Sequence, residues 1–104
     1  MPLPPHGGTL VDRELTPEEA RELGARARQM PRLMLNNREA SDLRMIANGA
    51  FSPLTGFMSR GDYEGVVRAA HLANGLPWTI PVTLSTDRHQ ADELREGADI
   101  ALFD

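Results

Sequence analysis

Residues 48–58 read Asn48-Gly49-Ala50-Phe51-Ser52-Pro53-Leu54-Thr55-Gly56-Phe57-Met58. This stretch carries no charge, although both flanking stretches do, and its glycines and proline favour a loop over a helix or a strand. Four of its side chains, those of Phe51, Leu54, Phe57 and Met58, are large and apolar and need burial. They pack either into the core of their own domain or against a surface that this sequence does not supply. The residues alone leave both arrangements open.

Composition narrows the class of protein. The chain has 104 residues, which fits one domain or part of one. Its 11 basic residues are all arginines, and 15 acidic residues bring the net charge to -4, so general nucleic-acid binding is not expected. The absence of cysteine excludes disulfides, thiolate metal sites and cysteine nucleophiles, and it fits a reducing cytoplasm. We expect no signal peptide, and no stretch has the ~18 apolar residues of a membrane helix.

Cap residues predict four helices. The clearest start is Thr16-Pro17-Glu18-Glu19, where Glu19 completes a capping box and Pro17 suits the first turn. This helix is expected to end at Pro31, which cannot continue it. The other predicted starts are Asn36 or Asn37, Ser59, and Asp87, the last opening a short helix to Glu96. The apolar faces predicted for the first three helices are Ala20, Leu23, Gly24 and Ala27; Ala40, Leu43, Ile46 and Ala47; and Tyr63, Val66, Val67 and Ala70.

Short apolar and β-branched runs predict four strands, at residues 9–11, 32–35, 78–85 and 99–103. In the third run, Ile80, Val82 and Leu84 alternate with other residues, as in a half-buried strand, and Pro81 favours an edge position. Helices and strands together predict the α+β class. Because a few short strands do not close a sheet, we expect further strands after Asp104.

The histidines do not predict a metal site. His6, His71 and His89 lie far apart, and the spacing of His89 and Glu93 predicts a solvated surface contact. His6 stands in a Pro-His-Gly-Gly turn, where the glycines favour either a tight turn or close approach of a ligand.

No serine has a nucleophile elbow around it, and without lysine a P-loop cannot be written. Arg38, Arg44 and Arg60 flank the apolar loop. One interpretation is that these arginines contact an anion or a partner. The favoured interpretation is that they pair at the surface with Glu39, Asp42 and Asp62.

The order of five segments is informative. They are Pro5-His6-Gly7-Gly8-x-Leu10, Leu43-x-x-Ile46-Ala47-Asn48, the unbroken run of residues 49–58, Tyr63, and Asn74-Gly75-x-x-Trp78-x-Ile80-Pro81-Val82-Thr83-Leu84. Together they resemble the N-terminal part of ATP sulfurylase, also called sulfate adenylyltransferase. The resemblance covers essentially the whole chain, and residues 49–58 are its most specific part.

The resemblance implies that residues 1–104 are the N-terminal part of a PUA-like β-barrel domain with peripheral helices, incomplete at its C-terminal end. In the family, a nucleotidyltransferase domain follows and carries a Gln-x-Arg-Asn and a His-x-x-His motif. The enzyme of sulfate assimilation converts ATP and sulfate, with Mg²⁺, into adenosine 5′-phosphosulfate and pyrophosphate. Neither motif occurs in this sequence. We therefore assign no catalytic, cofactor-binding or metal-binding residue, and we expect this fragment alone to be inactive.

The same resemblance makes the loop a candidate contact with the catalytic domain that is missing here. The residues assigned to it are Asn48, Gly49, Phe51, Pro53, Leu54, Gly56, Phe57 and Met58. We expect a cytoplasmic parent enzyme that binds sulfate and ATP through its catalytic domain; homo-oligomers and a fused kinase domain stay open. The alternatives are a free-standing PUA-like module that binds RNA and a protein-interaction module that uses the loop. The acidic charge disfavours the first of these.

Overall fold

The structure is a computed structural model that describes residues 4–103. A 3₁₀ turn at His6–Gly8 precedes the regular elements. We call residues 4–15, the described residues before the cap of the first helix, the N-terminal arm. The described elements are, in chain order, α1 (Pro17–Ala27), β1 (Arg32–Met34), α2 (Asn37–Ala47), α3 (Arg60–Ala69), α4 (Arg88–Glu93) and β2 (Ala101–Phe103).

The predicted helix starts are confirmed. Thr16 and Glu19 form a complete capping box, each accepting the other's backbone N–H at 3.2 Å. Asn36 caps α2, Ser59 caps α3 and Asp87 caps α4. The predicted end of α2 at Ala47 is confirmed, and α3 ends at Ala69, one residue before the predicted end. Helix α1 stops at Ala27, short of Pro31, because the N–H groups of Gln29 and Met30 bond three residues back rather than four. Helix α4 stops at Glu93 instead of Glu96.

The sheet consists of β1 and β2 in parallel, with Leu33 opposite Leu102. The N–H of Ala101 donates to the carbonyl of Pro31 at 2.8 Å, and the N–H of Leu35 donates to that of Phe103 at 2.6 Å. The predicted strands near residues 32–35 and 99–103 are therefore present, each three residues long. The predicted β-barrel is not seen in residues 4–103, where the sheet has two strands.

Two predicted strands are wrong. Residues 9–11 form no strand. They lie against the loop, where the N–H of Val11 donates to the Ser52 hydroxyl. Residues 78–85 contain no strand, and the chain bends at Ile80. Val82 is fully buried there, whereas Ile80, predicted to face inward, is 56% exposed. Pro81 cannot donate, and the carbonyl of Val82 accepts from Met58 in the loop.

The core is a cluster of five buried side chains from separate parts of the chain: Ile46, Leu54, Val66, Leu72 and Val82. Two predicted apolar faces need correction. On α3 only Val66 is buried, while Tyr63, Val67 and Ala70 are exposed, Val67 to 59%. On α1 no residue is buried at all. Helical spacing identifies an apolar stripe, but it does not say whether the rest of the chain reaches it.

A buried carboxylate joins α2 to the segment that follows residue 82. Glu39 is 2% exposed, and its Oε1 accepts the Asn36 N–H at 3.0 Å. Its Oε2 accepts the Ser85 N–H at 2.7 Å and the Ser85 hydroxyl at 3.0 Å. The backbone N–H groups of Asn36 and Ser85 lower the pKa of Glu39, and the Ser85 hydroxyl and Arg38 add to this against the opposing effect of burial. Arg38 itself pairs closely with Asp42, at 2.9 Å, and is 4.0 Å from Glu39.

We predict that Glu39→Gln destabilises the fold by about 1.5–3 kcal/mol at neutral pH, the worth of hydrogen bonds to a charged group. Because folding lowers the pKa of Glu39, its contribution is present above the ordinary value of 4.5 and is lost as the pH falls through the lower folded-state pKa. The stability deficit of the variant should therefore shrink in urea unfolding measured from about pH 7 to about pH 2.5.

Glu22→Gln makes the same change on the exposed face of α1 and is the matched control. It should stay within about 0.5 kcal/mol of the parent at every pH. A Glu39→Gln variant as stable as the parent at neutral pH, or one with a deficit independent of pH, contradicts the assigned role.

Candidate functional site

The loop between α2 and α3 is a chain of tight turns. The side chain of Asn48 accepts the N–H of Ala50 at 2.9 Å, and the N–H of Phe51 reaches back to the carbonyl of Met45 at 3.0 Å. The N–H of Leu54 donates to the carbonyl of Phe51 at 2.9 Å, and the Ser52–Pro53 peptide bond is cis. The loop is thus an ordered extension of the end of α2.

A buried hydroxyl fixes the loop to the N-terminal arm. Ser52 is 2% exposed; its Oγ donates to the carbonyl of Gly49 at 2.7 Å and accepts the N–H of Val11 at 2.8 Å. Gly49 has a φ of 87°, and a Cβ there would lie 2.5 Å from Leu10 Cδ1 and 2.9 Å from the carbonyl oxygen of Val11. The arm therefore covers the loop so closely that only glycine fits at this position.

The apolar side chains of the loop belong largely to this domain's own core. Leu54 is 5% exposed within the central cluster, and Phe51, Phe57 and Met58 pack against it half-buried. The N–H of Met58 donates to the carbonyl of Val82 at 2.8 Å, which ties the end of the loop to residues 78–85. Of the two arrangements that the sequence leaves open, the structure shows packing into the core of the loop's own domain.

Two clefts flank the end of the loop. The first has a volume of about 370 Å³ and is lined by residues 53–59, 72–74 and Asp62; the second, of about 460 Å³, is lined by residues 57–60, Tyr63, Thr83 and Leu84. Phe57, Met58 and Ser59 line both clefts and so form the wall between them. Of these three residues, Phe57 and Met58 are apolar and half-buried.

The polar groups in the clefts already serve the fold. Asp62 accepts the N–H of Ala73 at 2.8 Å, and Asn74 accepts that of Leu76 at 2.9 Å. Arg60 pairs at the surface with Glu64 at 3.1 Å, a partner outside the three acidic residues suggested by the sequence. Among the described residues, no three acidic or histidine side chains form a group that could hold a metal ion. The polar side chains of the clefts are thus used in contacts within the domain.

The histidines take separate structural roles. His6 Nε2 lies 2.8 Å from the carbonyl oxygen of Pro77, and its ring centre is 5.8 Å from that of Trp78, which meets Phe51 edge to face. His89 lies 3.8 Å from Glu93 at the surface, as its spacing predicts. The contact of His6 with Trp78 was not predicted, nor was the burial of Ser52 and Glu39. Their partners are distant in sequence, and no local pattern signals them.

Comparison with known proteins shows the family to which this chain belongs. Residues 3–104 match the PUA-like domain family. The chain is 56% identical over 100 residues to a sulfate adenylyltransferase from Synechococcus sp. (strain JA-3-3Ab), and 54% identical over 100 residues to one from Symbiobacterium thermophilum. Each match covers 96% of this chain and 25% of the relative, so the chain spans about a quarter of the length of these relatives.

A solved structure is also similar. The hexameric APS kinase from Thiobacillus denitrificans matches with a TM-score of 0.79 and 42% sequence identity, over 95% of this chain and 20% of that one. In the part of the chain that the structure describes, no helix is both long and apolar enough to cross a membrane.

We predict that Gly49→Ala destabilises the fold by more than the ~1–2 kcal/mol that an L-residue pays for a left-handed backbone, because its Cβ also meets Leu10 and Val11. Gly75→Ala is the matched control, since Gly75 has a φ of 88° and nothing within 4 Å of an added Cβ. Thermal and urea unfolding of both variants measure the difference. Equal losses would mean that the arm does not press on the loop.

Proposed function

This chain belongs to the PUA-like domain family, and from that premise we propose that it is the non-catalytic N-terminal domain of a sulfate adenylyltransferase. The observation that carries the proposal is the 56% identity to an enzyme of that name, extending over 96% of this chain but only 25% of the enzyme. The remaining three quarters of such a protein would supply the catalytic domain.

The reaction of the proposed parent enzyme transfers an adenylyl group. A sulfate oxygen forms a bond to the α-phosphorus of ATP, the bond to the β-phosphate oxygen breaks, and pyrophosphate leaves. Catalysis of this kind depends on positively charged groups and Mg²⁺ that hold the phosphates. Since the Gln-x-Arg-Asn and His-x-x-His motifs are both absent from these 104 residues, ATP, Mg²⁺ and sulfate would bind in the catalytic domain.

The role of this domain is then to support the catalytic domain through the loop of residues 48–58. The buried residues Ser52 and Leu54 hold the loop in one shape before any partner arrives, which lowers the entropy cost of docking. The half-buried Phe57 and Met58 present apolar surface between the two clefts. We propose that the catalytic domain covers this wall. We also propose that the parent enzyme is a cytoplasmic homo-oligomer, a proposal supported by its similarity to a kinase described as hexameric.

The proposal is tested with a graft in which residues 1–104 replace the matching quarter of the Synechococcus relative. The graft should catalyse sulfate-dependent exchange of pyrophosphate into ATP, and the 104-residue chain alone should not. In the graft, Thr55→Arg adds bulk at an exposed position of the first cleft without touching the core. It should reduce exchange by about tenfold or more, corresponding to ~1.4 kcal/mol of lost docking.

Thr79→Arg makes the same change at another exposed threonine, outside both clefts, and is the control. It should leave exchange within about twofold of the unmodified graft, as is usual for surface substitutions. A folded graft without exchange would overturn the proposed function. Equal rates of pyrophosphate exchange in the two arginine variants would overturn only the docking role of the loop and would leave the proposed function standing.

A further inference from the structure

Among the described residues that line the first cleft, Asp62 is the charged one. Its Oδ1 accepts the N–H of Ala73 at 2.8 Å, and no described residue donates a hydrogen bond to its Oδ2. None of the ion pairs among residues 4–103 includes Asp62, and Arg60, two residues earlier in the chain, pairs with Glu64 instead. The described part of the domain therefore leaves this carboxylate without a cation.

Apolar side chains share the cleft with this carboxylate. The cleft has a volume of about 370 Å³, and its large apolar lining residues are Pro53, Leu54, Phe57, Met58 and Leu72. Lysine and arginine side chains lay an apolar stem along such a surface while the charged end reaches a polar group. A long cationic side chain therefore matches both parts of the cleft.

A partner that covers the wall between the two clefts also takes Asp62 out of water, because Asp62 lines the same cleft as the wall residues. Burial of a carboxylate without a partner is strongly unfavourable, whereas a cation paired with it offsets much of that cost. An apolar or acidic group of the partner at this position would oppose docking. The covering surface must therefore supply a positive charge here.

We propose that the first cleft is a subsite for the ammonium or guanidinium group of a lysine or arginine side chain, which the catalytic domain places against Oδ2 of Asp62. The stem of that side chain lies along Leu54 and Phe57. The inference rests on the proposed function and names the chemistry by which the partner meets the loop. The net charge of -4 favours a basic partner surface, and Asp62 specifies the position of one of its charges.

Asp62→Asn tests the charge in the graft onto the Synechococcus relative. The amide oxygen of asparagine still accepts the N–H of Ala73, so the substitution removes the charge and keeps the hydrogen bond. Sulfate-dependent pyrophosphate exchange at low salt should fall by about tenfold or more, as when one partner of a buried charge pair is lost. The ratio of the two rates should shrink as sodium chloride is added, since salt screens the pair.

Glu64→Gln is the matched control. It removes the same charge from the same helix, two residues further on, and Glu64 lines neither cleft. Its rate of pyrophosphate exchange should stay within about twofold of the unmodified graft.

A double variant separates charge from folding. In Asp62→Asn with Asn74→Asp, the carboxylate moves to another side chain of the same cleft, and an aspartate at position 74 still accepts the N–H of Leu76. Pyrophosphate exchange should recover to within about threefold of the unmodified graft, because the pair depends on the charge. Loss in the single variant without recovery in the double variant would mean that Asp62 serves only the fold, and would overturn the proposal.

Amide hydrogen exchange at Ala73 provides a readout that does not need catalysis. The N–H of Ala73 should exchange more slowly in the graft than in the 104-residue chain, by about tenfold or more, and Asp62→Asn should remove this protection. A carbodiimide then identifies the cation. It joins the Asp62 carboxylate to a lysine amine as an amide and takes up the water released, but it leaves an arginine unlinked.

The two proposals fail in different ways. An active graft in which Asp62→Asn and Glu64→Gln have equal rates of pyrophosphate exchange overturns the subsite and leaves the proposed function standing. A folded graft that lacks pyrophosphate exchange, yet protects the amide of Ala73 only when Asp62 is present, supports the subsite and overturns the proposed function.

Discussion

Leu54 packs among Ile46, Val66, Leu72 and Val82, and the rest of the structure depends on this contact. The five side chains come from two helices, the loop and two irregular segments, which have no sheet in common. The sheet itself joins only two strands of three residues and leaves most of the chain untouched. Burial of apolar surface in this cluster therefore holds the helices and irregular segments together, and the loop supplies one of its five residues.

Two buried polar side chains set the positions of the segments around this cluster. Ser52 bonds the loop to the N-terminal arm, and Glu39 bonds α2 to Ser85. Every buried polar atom of the described side chains has a hydrogen-bond partner. These groups therefore fix the arrangement without the free-energy cost of a buried polar group that lacks a partner. A loop held in this way has one shape to offer, which suits the proposed role as a docking surface for a catalytic domain.

The sequence predicted the features that depend on neighbouring residues. The caps at Thr16, Asn36, Ser59 and Asp87 depend on neighbours three residues away, and all four were correct. Burial of Glu39 depends on a bond to a residue 46 positions further on, which no capping pattern contains. Alternation in residues 78–85 correctly placed Val82 inside, but it cannot tell a paired strand from an irregular segment that bonds to a loop. The location of the loop was predictable from composition. The clefts beside it were not, because residues distant from the loop in sequence, such as Leu72 and Leu84, line them together with Asp62.

The central claim is that the loop of residues 48–58 is folded into its own domain before any partner binds. Amide hydrogen exchange of the 104-residue chain tests this most directly, at the N–H groups of Val11, Phe51, Leu54 and Met58, which all have partners in the fold. We expect these amides to exchange as slowly as those within α2 and to open only with global unfolding. Exchange at the rate of an unstructured peptide, while α2 stays protected, would show instead that the loop becomes ordered only on docking.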